Sequence, residues 1–293
     1  MRRSAGLSTS MTDHEDQPEH KQLSSGGYAQ RRLVAALTPL SHLQQVPYSV
    51  PATPFRVTTS DAVTIKGTLL RRGRRSAVVL CHGFGSTHRS VPMVWLAEAL
   101  YDDWDVLAFD WRGYGRSGGL SSMGGTEALD LQAVVSFARA QGYAQVGVVG
   151  ESMGGLILLA AQGLSPGLAD AIATISAPAD YALVGWPRPQ LVRHMAPRKA
   201  LRPVARLLGF RLGALALPQP LDVVGDIAVP LLLIHGDTDR TVPVANAYAL
   251  HRQAPQSHLS IYAGIGHAVD PMRAQVPQRL LDDLRAHFAV LLR

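Results

Sequence analysis

Ser152 stands in Gly150-Glu151-Ser152-Met153-Gly154, a G-x-S-x-G string that directly follows the apolar run VGVVG and directly precedes the helical run MGGLILLAAQ. A strand that turns straight into a helix leaves the junction residue in a strained backbone conformation with its side chain exposed. Glycines at 150 and 154 let the crossing chains approach closely. The hydroxyl then stands at the carboxyl edge of a sheet, with the positive end of the helix dipole beneath it. This is the setting of an activated serine nucleophile, and the amide of Met153 is placed to face a developing oxyanion.

A serine nucleophile needs a base, and the base needs an orienting acid. Among eleven histidines, His267 closes the loop Gly264-Ile265-Gly266-His267 after the last expected strand and is the candidate base. The acid should come from a strand-end loop between Ser152 and His267, and IHGDTDRTVP offers Asp237 and Asp239. Asp237 also suits a turn, so Asp239 is preferred and Asp237 is the alternative. The order Ser152, Asp239, His267, with gaps of 87 and 28 residues, is that of the nucleophile-elbow class. A second oxyanion donor belongs after an early strand, where Cys81-His82-Gly83-Phe84-Gly85 stands. The N–H of Phe84 is assigned to it, with Gly83 and Gly85 permitting the backbone that aims it. His82 reads as a brace of that loop, and Cys81 as core filler.

The same string occurs again as Gly115-Arg116-Ser117-Gly118-Gly119. That copy lies in a glycine-rich loop, and no apolar helix opens at its serine, so Ser117 is rejected as nucleophile. The candidate set calls for no metal and no cofactor.

The elements that must carry these residues follow from periodicity. FRVTTSDAVTIKGTLL alternates as a hairpin with Ser60-Asp61 at its turn, and four arginines around Gly73 form a solvated turn. Apolar runs then alternate with helical stretches: strands at 77–81, 106–110, 146–150 and 171–176, with helices near 91–101, 126–141 and 154–163. After an interruption come strands at 229–236 and 258–264, and helices near 243–253 and 276–292. Strand–helix alternation implies a mostly parallel central sheet with helices on both faces, an α/β architecture.

The interruption, about 179–224, holds six prolines and fits no strand–helix unit, so it reads as a small helical cap inserted between two core strands. Its stretch LRPVARLLGFRLGALAL has the apolar, basic character of short amphipathic helices. Charge is concentrated there: Tyr181–Leu221 carries +7 with no acid, which leaves −1 for the rest of a chain whose formal charge is +6. Such a segment suits peripheral contact with anionic lipid, or simply a charged face in water. No nucleic-acid recognition motif accompanies the charge, so a nucleic-acid partner is not expected. Residues 1–45 read as a disordered leader followed by a short helix, and 46–293 as one hydrolytic domain with its cap. A single cysteine excludes an internal disulfide framework. No apolar run approaches the roughly 18 residues of a spanning helix. The expected location is cytoplasmic, with the membrane surface as the alternative.

Across about residues 55–292 the sequence resembles the α/β-hydrolase superfamily. The motifs that carry the resemblance are HGFG at 82–85, DWRGYGRSGG at 110–119, GESMGG at 150–155, HGDTDRTVP at 235–243 and GIGH at 264–267. Within it the chain is similar to capped bacterial esterases and to lysophospholipase-like and serine-aminopeptidase-like hydrolases. The resemblance implies the α/β-hydrolase fold and favours Asp239 through the pattern H-G-x-x-D. It further implies that Asp110, Arg112 and Ser117 form a structural loop beside the site. The expected activity is cleavage of a small-molecule carboxylic ester, lipid or acyl, through an acyl-enzyme. Thioester or amide cleavage, or ligand binding without turnover, are the alternatives.

Overall fold

The computed structural model describes residues 45–185, 209–268 and 276–292. The expected leader lies outside them but for Gln45, as do residues 186–208 of the insertion. Eight strands form one sheet in the order β1-β2-β4-β3-β5-β6-β7-β8. They are β1 Thr53–Thr58, β2 Thr64–Leu70, β3 Ser76–Cys81, β4 Asp105–Asp110, β5 Gln145–Glu151, β6 Ala171–Ile175, β7 Leu231–Gly236 and β8 His258–Tyr262. The hairpin β1–β2 is antiparallel and continues the sheet by pairing antiparallel with β4, while β3 to β8 run parallel. Parallel strands must be buried on both faces, and β3, β4, β6 and β7 are buried at every position.

Helices α1 (Val91–Leu100) and α5 (Val276–Phe288) cover one face, where Trp95, Leu100, Leu284 and Phe288 join Val78, Leu80 and Val106. Helices α2 (Ala128–Ala140), α3 (Met153–Leu164) and α4 (Ala245–Gln253) cover the other, where Leu131, Leu156, Leu159 and Leu250 meet Val79, Val148 and Leu233. α3 is buried from Met153 through Gln162, because β5, α2 and the 3₁₀ turns Pro220–Asp222 and Val224–Asp226 all pack against it. A helix apolar on every side is what such a position demands. No helix among the described residues is long and apolar enough to cross a membrane.

The insertion departs from expectation where it is described. Residues 209–217 form no helix and instead run irregularly, bridging Tyr114 to Phe210 and Ser121 to Leu212. The amide of Arg211 donates to Gly113 O and its carbonyl accepts from Ser121 N, at 2.7 and 2.8 Å. With Gly209 and Gly213 weakening a helix, these bonds to the loop after β4 take the place of intrahelical ones. Arg211 also commits its guanidinium to the carbonyls of Ser117 and Gly119. The other six cations of the basic segment lie outside the described residues.

The loop after β4 is itself held by Arg112, a buried guanidinium that donates to Asp130 at 2.8 Å and to Asp61 at 2.6 and 3.0 Å. Asp130 is wholly buried, and burial lifts its carboxyl to about 7 against the pull of Arg112, so removing the cation forces the acid to take up a proton and breaks the buried pair. Arg112→Ala should lower the unfolding free energy by about 3–5 kcal/mol, read as an earlier urea midpoint at unchanged slope.

Candidate active site

The end of β5 and the start of α3 meet at Ser152, whose backbone sits at φ 49°, ψ −116°, outside the regions that L-residues favour. Its N–H donates to Ile175 O at 2.8 Å and its carbonyl accepts from Leu156 N at 3.0 Å, so the strained residue is tied on both sides. The glycines act as the motif requires. A Cβ at Gly150 would come within 2.6 Å of Gly154 O and 2.7 Å of Gly155 Cα. A Cβ at Gly154 would strike the carbonyl oxygens of Cys81 and His82. Three chain segments therefore converge beneath the hydroxyl with no room for side chains.

The loop after β8 brings His267 to this hydroxyl, with Nε2 3.0 Å from Ser152 Oγ and Nδ1 2.7 Å from Asp239 Oδ2. The imidazole is partly exposed, whereas the carboxyl side chain it meets is fully buried. Asp239 Oδ1 accepts the N–H groups of Thr241 and Val242 at 2.8 Å each. Burial alone would raise this carboxyl, but hydrogen bonds from His235, His267 and the Val242 amide outweigh it and hold the group well below the usual carboxylate range. An acid so held stays ionised and fixes the ring with Nδ1 protonated and Nε2 free to accept from the serine. Asp237, the alternative acid, instead accepts Gly264 N–H at 2.7 Å and shapes the turn that leads to His267.

Phe84 follows Gly83 over the nucleophile. Of the two glycines expected to free this backbone, Gly83 and Gly85, the positive φ falls at Gly85, at 70°. What Gly83 supplies is space, since a Cβ there would lie 3.3 Å from Ser152 Cβ. Among the described residues, neither the Met153 N–H nor the Phe84 N–H donates a hydrogen bond. His82 is buried beneath this loop. Its Nδ1 lies 2.8 Å from Gly83 O, and its Nε2 accepts the Trp111 amide at 3.2 Å. Burial lowers its pKa to about 4, so it braces the loop as a neutral ring. Cys81 is buried in the core.

Ser117 is buried, and its hydroxyl donates to Asp110 O at 2.6 Å while accepting Lys66 N–H at 2.9 Å. Asp110 in turn accepts His88 Nδ1 at 2.8 Å. This loop is structural, as the resemblance implied. Sequence reasoning missed two groups. His235 lies 3.5 Å from Asp239 Oδ2 and donates to Val242 O. Glu151, the variable residue before the nucleophile, has an Oε2 sealed from solvent with no partner among the described residues. Burial lifts its carboxyl to about 7, against the lowering pull of His267 and the Gly83 amide. The G-x-S-x-G string displays this acid openly, but nothing in its spacing tells that it is buried. Among the described residues no cluster of three or more His, Cys, Asp and Glu could hold a metal ion.

A family model for the α/β hydrolase fold matches residues 76–219. The uncharacterized protein YqkD of Bacillus subtilis is 30% identical over 197 residues, which covers 61% of this chain and 60% of that protein. Among solved structures, the esterase Pf2001 of Pyrococcus furiosus superposes with a TM-score of 0.68 at 22% identity, covering 84% of this chain and 94% of that one. The esterase RhEst1 of Rhodococcus sp. ECU1013 gives 0.63 at 20%, with coverage of 81% and 99%. A thermophilic esterase of Thermogutta terrifontis gives 0.61 at 21%, with coverage of 82% and 100%. A family model that spans the elbow, and a fold shared over more than four-fifths of the chain, give this protein the α/β-hydrolase fold.

Proposed function

We propose that the chain is a serine hydrolase that cleaves a carboxylic ester through an acyl-enzyme. The observation that carries this reading is the unbroken relay from Ser152 Oγ through His267 to Asp239, at 3.0 and 2.7 Å. Esterases among the structural neighbours support ester over other carbonyl substrates.

In the proposed cycle Ser152 Oγ attacks the ester carbon as its proton passes to His267 Nε2. The carbonyl oxygen becomes an oxyanion between the amides of Met153 and Phe84, each donor worth about 3–4 kcal/mol in comparable sites. The imidazolium, stabilised by Asp239, returns the proton to the departing alkoxide as the C–O bond breaks. Water then attacks the acyl-serine, giving its proton to Nε2, and the acid leaves as Ser152 regains a proton. Serine rather than aspartate at the elbow disfavours dehalogenation and epoxide opening.

Two predictions test the reading. On nitrophenyl esters from acetate to palmitate, with a thioester and an aminoacyl nitroanilide alongside, the wild type should turn over the esters fastest. Ser152→Ala should lose on the order of 10⁶-fold in kcat, and Asp239→Asn about 10⁴-fold. Preference for the thioester or the anilide would transfer the assignment to that substrate, and binding without turnover would remove it.

The second concerns pH. His267 must be neutral to accept a proton, so kcat/KM falls as acid is added. Asp239 adds nothing to that fall in the working range, since its carboxyl is held far below it. Glu151, at about 7, ionises within the range and then sets a negative charge beside His267, favouring the imidazolium of the transition state. The acid limb of wild type should therefore steepen toward two protons. Glu151→Gln should reduce it to one and cost at most about tenfold at alkaline pH. An unchanged slope in that variant would disconnect Glu151 from the base.

A further inference from the structure

Ser176 is the buried residue that follows β6, and it holds φ at +53°, a left-handed conformation that glycine adopts far more readily than serine. Three hydrogen bonds radiate from this strand end. The carbonyl of Ile175 accepts the amide of Ser152 at 2.8 Å, and the amide of Ser176 donates to Ile234 O of β7 at 2.8 Å. The Ser176 hydroxyl accepts the amide of Ala268 at 3.0 Å.

The last contact bears on the base. Ala268 N belongs to the peptide group formed with His267, and that group is planar and rigid. Fixing its nitrogen fixes the plane one bond from His267 Cα. The chain on the other side of His267 has its own ties: Thr238 N–H to Ile265 O at 3.0 Å and Gly264 N–H to Asp237 Oδ1 at 2.7 Å. Ala268 itself stands at φ +59°, a second left-handed alanine-or-larger residue within this contact. Two strained residues joined by one hydrogen bond are what a loop shows when its geometry is imposed by its surroundings.

We propose that Ser176 is a positioning residue for the base: its hydroxyl pins the peptide that follows His267 and thereby keeps Nε2 on Ser152 Oγ. Strand β6 then holds both partners of the proton transfer, the nucleophile through Ile175 O and the base through Ser176 Oγ. Ser176 touches no reacting atom. The proposal rests on the hydrolase reading of the same site.

The test uses the full chain with Ser176→Gly and Ser176→Ala. Both remove the hydroxyl; glycine also relieves the positive φ, while alanine keeps it. The expected result is a fall in kcat for a nitrophenyl ester on the order of ten- to a hundredfold in both variants, with KM within about twofold of wild type. Labelling of Ser152 by a fluorophosphonate should slow in parallel, and the thermal midpoint of the glycine variant should match or exceed that of the alanine variant. Should Ser176→Ala fail to fold, the glycine variant carries the measurement. If Ser176→Gly keeps the wild-type kcat and labelling rate, the hydroxyl serves the fold alone and the proposal falls while the hydrolase reading stands. If the probe does not label Ser152 in wild type, the hydrolase reading falls and the proposal falls with it.

Discussion

The backbone of Ser152 is the constraint to which the rest of the site is referred. A residue held in so sparsely populated a region costs on the order of 1–3 kcal/mol, and it persists because its neighbours leave no alternative. Relaxing the turn would drag α3 from a position buried on all sides. It would also break the register in which Glu151 pairs with Ile175 across β5 and β6. The conformational cost is thus held in place by the same apolar packing that stabilises the sheet. Catalytic geometry and core cohesion are one problem in this fold, solved at the point where β5 ends.

Around that point, side chains of the same chemical kind are given different characters by their surroundings. Asp239 is buried among donors and remains an anion, whereas Glu151 is buried without enough of them and hovers near neutrality. His82 is sealed in the core and stays neutral, while His267 keeps part of its ring in solvent. His88 and Asp110 form another imidazole–carboxylate pair, with Thr68 Oγ1 3.1 Å from the ring. That relay copies the atoms of the one at Ser152, yet all three members are buried. Access, as much as residue type, separates a chemical site from a structural one.

The fold was legible in the sequence because strand–helix alternation is a periodic signal, and each expected strand and helix from Phe55 onward, the insertion apart, has a counterpart within a few residues. The three residues of the relay were legible because the strand–G-x-S-x-G–helix context singles out Ser152 and the order Ser152, Asp239, His267 is that of the nucleophile-elbow class. Rejecting Ser117 required only its context, and its buried hydroxyl accords with that. The irregular path of 209–217 was hidden, since an apolar basic string looks helical until its backbone finds partners in the loop 113–122, which are tertiary contacts. Ser176 was hidden for the same reason, its partner Ala268 lying 92 residues away, whereas His235 lies only a few residues from Asp239 and Val242, and its spacing carried no sign of those contacts. Gly83 and Gly85 were recognised together for backbone freedom, which Gly85 shows, whereas at Gly83 the missing side chain serves close approach to Ser152.

The irregular arm has a consequence for how substrates are told apart. Phe210 packs edge-on against Phe84 at 4.9 Å between ring centroids and stacks on Tyr114 at 5.6 Å. Phe84, the residue whose amide is proposed as an oxyanion donor, thus has its ring held against a residue of the insertion. An acyl group that wedges this aromatic sandwich apart would displace the amide along with the ring. Under the proposed hydrolase function, ill-fitting substrates on such a scaffold would be penalised in turnover before they are penalised in affinity. Selectivity is then exercised by the machinery of the reaction itself, with the roof of the site acting as a gauge rather than a gate.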